Sequence, residues 1–440
     1  MPSTTGGERD GWPDALRARE AGGVRRRGVE HYDQLETRDP AEREAALLAA
    51  LPRFLDDARR RAPALARRLE GISSAEITSR AALVRLPVVR KSELADLQKE
   101  NPPFGDLAAL DPGTLEHVFA SPGPIYEPSS ARPDFANFAR PLFAAGFRAG
   151  DLVYNTFSYH FTPAGLMVDS GARALHCAVF PAGTGQTELQ VSAIAHLKPQ
   201  GYVGTPSFLK ILLEKGGEAG ADLSSLRKAL VSGEALPGSL RGELRQRGVS
   251  VLQCYTTAEL GVVAYESQAM EGLIVNEGVI LEIVRPGTGD PLPDGEVGEV
   301  VVTNLESTEY PQVRFATGDL SAILPGVSPC GRTNVRIRGW LGRADQSAKV
   351  RGMFVHPSLV ARIVGRHPQI SRARLVVRRE KDADEMTLRC ETTATGEADL
   401  GPAVVESIRE ICKLRGEVEL VAPGSLPNDG KVIEDTRPVE

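Results

Sequence analysis

Near the C-terminus the run "LPNDGKVIEDTR", residues 426–437, presents one lysine, Lys431, directly after an Asn-Asp-Gly turn. Asn, Asp and Gly are what a tight turn requires, so the plain reading is a surface turn before a last strand. Further stretches carry side chains suited to phosphate chemistry. "CYTTAEL", 254–260, places the hydroxyls of Thr256 and Thr257 and the carboxylate of Glu259 after an apolar run. Hydroxyls can hold phosphate oxygens and a carboxylate can hold Mg2+ through oxygen; a Thr-rich helix N-cap is the alternative. "RFATGDL", 314–320, offers Asp319 as an acceptor for a ribose diol or as the cap of a turn. "FASPGPIYEPSS", 119–130, includes Ser121 and Gly123. Backbone N–H groups of Gly-rich loops cradle phosphates, but its prolines remove donors and it has no lysine, so on these residues alone a plain loop is favoured. "GRADQSAKVRGMFVHPS", 342–358, strings Arg, Asp and Lys together as a hinge or a solvated linker. No nucleophile elbow, Ser-His-Asp order or zinc-protease helix is present. The Cys and His residues lack metal-ligand spacing.

The elements that must position these residues follow from periodicity. Residues 1–115 read as helices with loops. "PAEREAALLAALPRFLDDARRRAPALARRL" has apolar positions three and four apart. In "LPVVRKSELADLQ", Ser92 is a candidate N-cap with Glu93 behind it. From about residue 146 short apolar runs ("GDLVYNTFSY", "ALHCAVFPAG", "GYVGTP") alternate with amphipathic stretches ("QTELQVSAIAHLKP", "SFLKILLEKGGEAG"). That alternation implies an α/β sheet with parallel character. Ligands in such sheets bind where strands deliver their C-terminal ends, which selects the loops "VGTPS", "VSGEA" and "CYTTAE". From about 279 to 340 the pattern is mostly β. After "GWLGRAD" the order is helix, hairpin, helix, strand, with Pro402 early in the second helix and Gly416 at its end. The expected fold class is therefore α/β: a large N-terminal α/β domain with a β-rich subdomain, residues 1–341, and a small C-terminal α+β domain, residues 342–440.

Bulk properties narrow the function. The 440 residues carry a net charge of −6 with 41% apolar and 25% charged residues, ordinary for a globular protein. No basic domain suggests nucleic-acid binding, and no run of about 18 apolar residues suggests a membrane span. The Arg-rich first 70 residues also carry Glu and Asp, which favours surface helices over a polybasic anchor. The N-terminus lacks the apolar stretch of a signal peptide. Five widely spaced cysteines fit reduced thiols in the cytoplasm.

Taken in order, these loops resemble the adenylate-forming acyl-CoA synthetase superfamily, most closely its phenylacetate–coenzyme A ligase branch. "HYDQLETRDPAERE" and "LPVVRKSEL" are similar to that branch's N-terminal landmarks. The resemblance implies ATP, Mg2+ and coenzyme A as cofactors and a small carboxylic acid, aromatic or aryl-acetic, as substrate. The acid is first adenylated to acyl-AMP, and the acyl group then passes to coenzyme A after a mobile C-terminal domain rotates. It implies roles by position. Lys431 is the catalytic cation. Ser121 and Gly123 lie in the phosphate loop, Gly233, Glu234 and Ala235 line the adenine, and Tyr255 stacks or packs on the base. Thr256 and Thr257 donate to phosphate oxygens, and Glu259 binds Mg2+. Asp319 accepts from the ribose hydroxyls with Arg343 in support. Tyr159, His160, Thr205 and Pro206 border the acyl pocket, with His160 as a packed histidine the alternative.

Two departures from that pattern stand out. The loop lysine is replaced by Glu127, and the loop's hydroxyls shrink to Ser121. An acidic side chain there repels a triphosphate unless it points away or helps bind Mg2+. Some members of the branch also hold a structural zinc; here only Cys330 remains, with Ser328 in place of its partner, so no zinc is expected and Cys254 and Cys330 read as small core residues. The competing readings are a degenerate member that binds nucleotide or acyl-CoA without turnover, and an adenylating enzyme with an amine or carrier-protein acceptor.

Overall fold

The computed structural model describes residues 24–26, 29–110, 113, 115–121, 124–129, 131–285, 288–341, 344, 348–351, 353–355, 357–380, 383–393, 399–427 and 431–437. Its centre is the sheet expected from the alternating runs. Strands Ala178–Pro181, Leu152–Asn155, Gly201–Gly204, Lys228–Val231 and Ser250–Thr257 lie side by side and parallel. Tyr154, Tyr202, Ala229 and Leu230 are almost fully buried, as strands sandwiched between helices must be. The intervening helices Ala164–Ala174, Thr187–Leu197, Pro206–Glu218 and Gly238–Gln246 supply the crossovers. The sheet then continues antiparallel through Gly261–Tyr265, Leu273–Val275, Arg336–Ile337 and Ile323–Leu324.

A second sheet holds Val279–Val284, Gly298–Asn304 and Gln312–Ser321 in antiparallel order, with Val89–Arg90 parallel at its edge. Arg314 anchors it from inside. This arginine is 2% exposed; its Nε and Nη2 donate to Glu282 at 3.0 Å each, and its remaining hydrogens go to the carbonyls of Val84, Leu86 and Gly289. A buried charge is tolerated when it is paired and fully hydrogen-bonded in this way.

Helix Pro40–Arg61 starts as its residues dictate: Asp39 accepts from the N–H groups of Ala41 and Glu42, and Pro40 occupies the first turn. Its Leu47, Leu51, Phe54, Leu55 and Ala58 face inward. The segment before it is held by a buried charge cluster. Glu36 accepts from Arg332 Nε at 2.7 Å, Tyr265 Oη at 2.5 Å and the N–H of Tyr32 at 2.6 Å. Arg140 pairs with Asp33, and Arg43 and Arg38 both pair with Glu277.

A third, four-stranded sheet closes the chain: Glu417–Val421, Ala383–Thr392, Ile370–Glu380 and Ile433–Asp435. With helices Pro357–Val364 and Leu400–Cys412 it has its own core of Val355, Ile363, Leu388, Val404 and Ile408.

Three local expectations are corrected. Ser92 is not the N-cap, because Val89–Arg90 is drawn into the second sheet and the helix Lys91–Glu100 begins at once; Glu93 accepts from the N–H of Arg90 at 3.2 Å. Gly416 does not end the helix Leu400–Cys412; Lys413 does, in a left-handed conformation. The residues of "FASPGPIYEP" on either side of 122–123 are not plain loop: Val118–Ser121 and Ile125–Pro128 pair as antiparallel strands, with Phe119 opposite Glu127 and Ser121 opposite Ile125. All five cysteines are free and buried. Among the described residues no helix is long and apolar enough to cross a membrane.

Candidate active site

Parallel strands put the segments that follow them at one edge of the sheet. Tyr159 and His160, then Thr205 and Pro206, then Gly233, Glu234 and Ala235, then Glu259 all follow such strands. Thr205 caps the helix Pro206–Glu218 by accepting from the N–H of Phe208 at 3.4 Å, with Pro206 in the first turn. Its carbonyl accepts from Tyr202 Oη, which in turn accepts from Thr156 Oγ1. Gly233 takes a positive φ of 80° that turns the chain off its strand. Beside it Glu234 and Ala235 lie open, and Ser232 Oγ ties the loop to the next strand through the carbonyl of Cys254. Tyr159 Oη accepts from Asn155 Nδ2 at 2.8 Å, and burial holds its hydroxyl proton tightly. His160 is exposed rather than packed, and its N–H donates to Ser158 Oγ.

Thr256 and Thr257 end the strand Ser250–Thr257, and residues 258–260 turn the chain into the antiparallel strand Gly261–Tyr265, so the helix N-cap alternative fails. Thr256 spends its hydroxyl hydrogen on the carbonyl of Gly261 at 2.8 Å. Thr257 Oγ1 accepts from the N–H of Leu260 at 3.2 Å, which leaves the hydroxyl hydrogen of Thr257 as a donor.

Asp319 comes from the second sheet and meets the first. Tyr255 Oη donates to its Oδ2 at 2.7 Å and Trp340 Nε1 donates to its Oδ1 at 3.0 Å. The phenol of Tyr255 is therefore tied to this carboxylate, and the indole locks its rotation from the other side. Trp340 is 44% exposed. Spacing had singled out neither Trp340 nor this clamp, because the contact joins elements remote in sequence.

Between the hairpin and the Ala258–Gly261 turn lies a cavity of about 40 Å3, lined by Glu127, Arg132, Glu259, Glu306, Glu309 and Tyr310 among others. Ser121 Oγ donates to Glu127 Oε1 at 2.6 Å, and Glu127 is only 2% exposed. Burial and the neighbouring charge of Glu259 push its carboxyl up to about 8. Lys91 Nζ lies 2.6 Å from Glu259 Oε1. Lys91 is a further residue that sequence reasoning passed over, since nothing in the spacing of "RKSEL" points to a partner so far along the chain.

Lys431 is exposed on a loop fixed at both ends. The carbonyl of Pro427 accepts from Arg372 and Arg374, and strand Ile433–Asp435 pairs with Ile370–Glu380. Gly123 and Arg343 lie outside the described residues. Around Cys330 lie Ser328 Oγ at 3.1 Å and Arg332 Nη1 at 3.6 Å from the thiol, and the His31 ring, whose Nε2 is 3.1 Å from the Cys330 carbonyl oxygen. Burial pushes the thiol up, but hydrogen bonds from Ser267, Ser328 and Arg332 outweigh it and hold it below its usual range. One sulfur and one imidazole beside an arginine and neutral hydroxyls fall short of the four ligands of a structural zinc site.

Comparison with known proteins places this geometry. The family model "AMP-binding enzyme" matches residues 139–306. A phenylacetate–coenzyme A ligase of Thermus thermophilus is 32% identical over 356 residues, covering 76% of this chain and 79% of that protein. The corresponding ligase of Escherichia coli is 29% identical over 428 residues, covering 91% and 95%. A crystal structure of 2-hydroxyisobutyryl-CoA ligase with 2-HIB-AMP and CoA, in the thioesterification state, matches with a TM-score of 0.73 at 27% identity over 92% of each chain. The same ligase in its postadenylation state matches at 0.69.

Proposed function

The chain belongs to the phenylacetate–coenzyme A ligase family of AMP-binding enzymes, and from that premise we propose that it joins an aromatic or aryl-acetic acid to coenzyme A at the expense of ATP. It is an AMP-forming acyl-CoA synthetase. A carboxylate oxygen of the acid attacks the α-phosphorus of ATP, and the bond to pyrophosphate breaks, leaving acyl-AMP. The thiolate of coenzyme A then attacks the acyl carbon and AMP departs.

The observation that carries this reading is the convergence of two sheets on Asp319, beside the edge where the parallel strands end. Asp319, held by Tyr255 and Trp340, accepts from the ribose hydroxyls. Gly233, Glu234 and Ala235 flank the adenine, and their exposure leaves room for a base. Thr257 donates to phosphate, while Thr256 shapes the turn. Thr205, Pro206, Tyr159 and His160 border the acid. Two anions must meet in the first step, and Lys431 supplies the positive charge that stabilises the oxygen bridging them. We assign Lys431 to a C-terminal domain of residues 342–440 that moves between the two steps; its separate core supports that assignment.

Mg2+ fits Glu259, whose Oε2 is buried without a hydrogen-bond partner among the described residues. When bound it would neutralise charge on the phosphates. Five reduced, buried thiols support a cytoplasmic setting.

The test is pyrophosphate release from ATP and Mg2+ with a panel of aryl and aryl-acetic acids, followed by thioester formation on adding coenzyme A. Release with at least one acid, with coenzyme A required for thioester, is the expected result. No release with any acid overturns the reading in favour of a nucleotide-binding protein without turnover. Release followed by transfer only to an amine or a carrier-protein thiol overturns the choice of acceptor.

A further inference from the structure

The cavity beside the hairpin has the character of a cation site. Four of its lining residues are glutamates, Glu127, Glu259, Glu306 and Glu309, against one arginine, Arg132. A triphosphate alone is repelled by that balance. Glu127 is the telling residue. It sits on the second strand of the hairpin, 2% exposed, with Ser121 satisfying Oε1 and nothing among the described residues satisfying Oε2. A buried carboxylate oxygen without a partner is costly, and such groups are retained where something else fills the vacancy. Glu259 repeats the pattern across the cavity: Lys91 touches Oε1, while Oε2 has no partner among the described residues. Burial and the field of Glu259 raise the carboxyl of Glu127, and the field of Lys91 lowers it. The ammonium of Lys91 is one point charge facing two carboxylates, and it is a third exposed, free to retreat to solvent. The volume of about 40 Å3 admits an ion with one or two waters.

We propose that Glu127 and Glu259 jointly hold a divalent cation in this cavity, and that the ammonium of Lys91 is the placeholder the cation displaces. The inference rests on the reading of Glu259 as a metal ligand given above and extends it to two residues nothing else accounts for. All the protein donors are oxygens, which selects a hard ion of the Mg2+ or Mn2+ class over zinc. Two carboxylates, with waters and substrate phosphates completing the shell, are what such an ion ordinarily takes from a protein.

Mn2+ titrated into the full-length protein without nucleotide, with free Mn2+ read from its electron paramagnetic resonance signal, tests this directly. One Mn2+ per chain, displaced by excess Mg2+, is the expected result for the unmodified protein. Glu127→Gln, which keeps the size of the side chain and the acceptor for Ser121, should weaken binding by at least about tenfold. Lys91→Met should tighten it by about tenfold, since a competing charge is removed. A merely structural lysine gives no such gain. Mn2+ binding that ignores Glu127→Gln, or that weakens with Lys91→Met, overturns the proposal. Absence of Mn2+ binding to the unmodified protein overturns it as well. If either failure is accompanied by pyrophosphate release from ATP and an aryl acid, only this proposal falls; if release is absent too, the ligase reading falls with it.

Discussion

Glu36→Gln is a severe test of how the N-terminal segment is held. Glu36 is 1% exposed at the centre of a buried cluster, and it accepts from Arg332 Nε, Tyr265 Oη and the N–H of Tyr32. An amide keeps one acceptor oxygen but turns two donors towards donors, and it leaves Arg332 without its counter-charge. Arg140, whose Nε lies 4.0 Å from Glu36, keeps Asp33 but loses part of the field that balances it. Removing one member of a buried ion pair costs about 3–5 kcal/mol. In a unit of this size that lowers the melting temperature by roughly 5–10 °C. The effect has a defined pH dependence. Burial alone raises the carboxyl of Glu36, but Arg332, Arg140 and the hydrogen bonds outweigh it and hold it below its ordinary 4.5. A lowered folded-state value means that the stabilisation is fully present above 4.5 and is lost as pH falls through the folded value. Gln does not titrate, so the gap between the two proteins should be widest near neutrality and narrow in acid. Scanning calorimetry at pH 7 and at about pH 4 reads both. A fall of under about 1 °C at pH 7, or a gap that widens in acid, refutes the argument.

Other outcomes follow from the geometry. Lys431→Ala should reduce acyl-adenylate formation by about 10²–10³-fold, read as pyrophosphate release; thioester formation from pre-made acyl-AMP should survive far better, and equal loss of both steps would make the lysine structural. Arg314→Met strands Glu282 and three carbonyls, and should cost about 3–5 kcal/mol in a chemical-denaturation curve; the double variant with Glu282→Met should recover part of the loss. Trp340→Phe removes the donor to Asp319 Oδ1 and should raise the KM for ATP by about tenfold, with little change in the thioester step measured from acyl-AMP. Gly171→Ala should destabilise by about 1–3 kcal/mol, because a Cβ there would lie 2.5 Å from Cβ of Phe138.

Much of the scaffold was legible because it is local. Period-two and period-3.6 runs between residues 150 and 257 predict the alternation of strands and helices, and strand direction then places Thr205, Glu234 and Glu259 at one edge. What stayed hidden depends on contacts across long stretches of chain. Ser92 looked like a cap because the sequence does not reveal that Arg90 is pulled into a strand beside Phe315 and Ala316. "TTAE" left a helix N-cap open as an alternative because a Thr pair suits a cap as well as the end of a strand. The pairing of Val118–Ser121 with Ile125–Pro128 was obscured by prolines, of which Pro128 here ends an isolated two-stranded ribbon. Lys91 on Glu259, Trp340 on Asp319 and the cluster around Glu36 are pairings that only the tertiary fold creates.

The clamp on Asp319 also has an optical consequence. Trp340 is one of two tryptophans in the chain, and its indole is half open to solvent while bonded to a carboxylate. On the proposed role of Asp319, ribose hydroxyls arriving at that carboxylate would alter the electrostatic surroundings of the ring, and so the colour and yield of its emission. Replacing Trp12 by Phe would leave Trp340 as the single tryptophan, excited apart from the tyrosines at long wavelength, through which occupancy of the proposed nucleotide site can be followed in real time without a label.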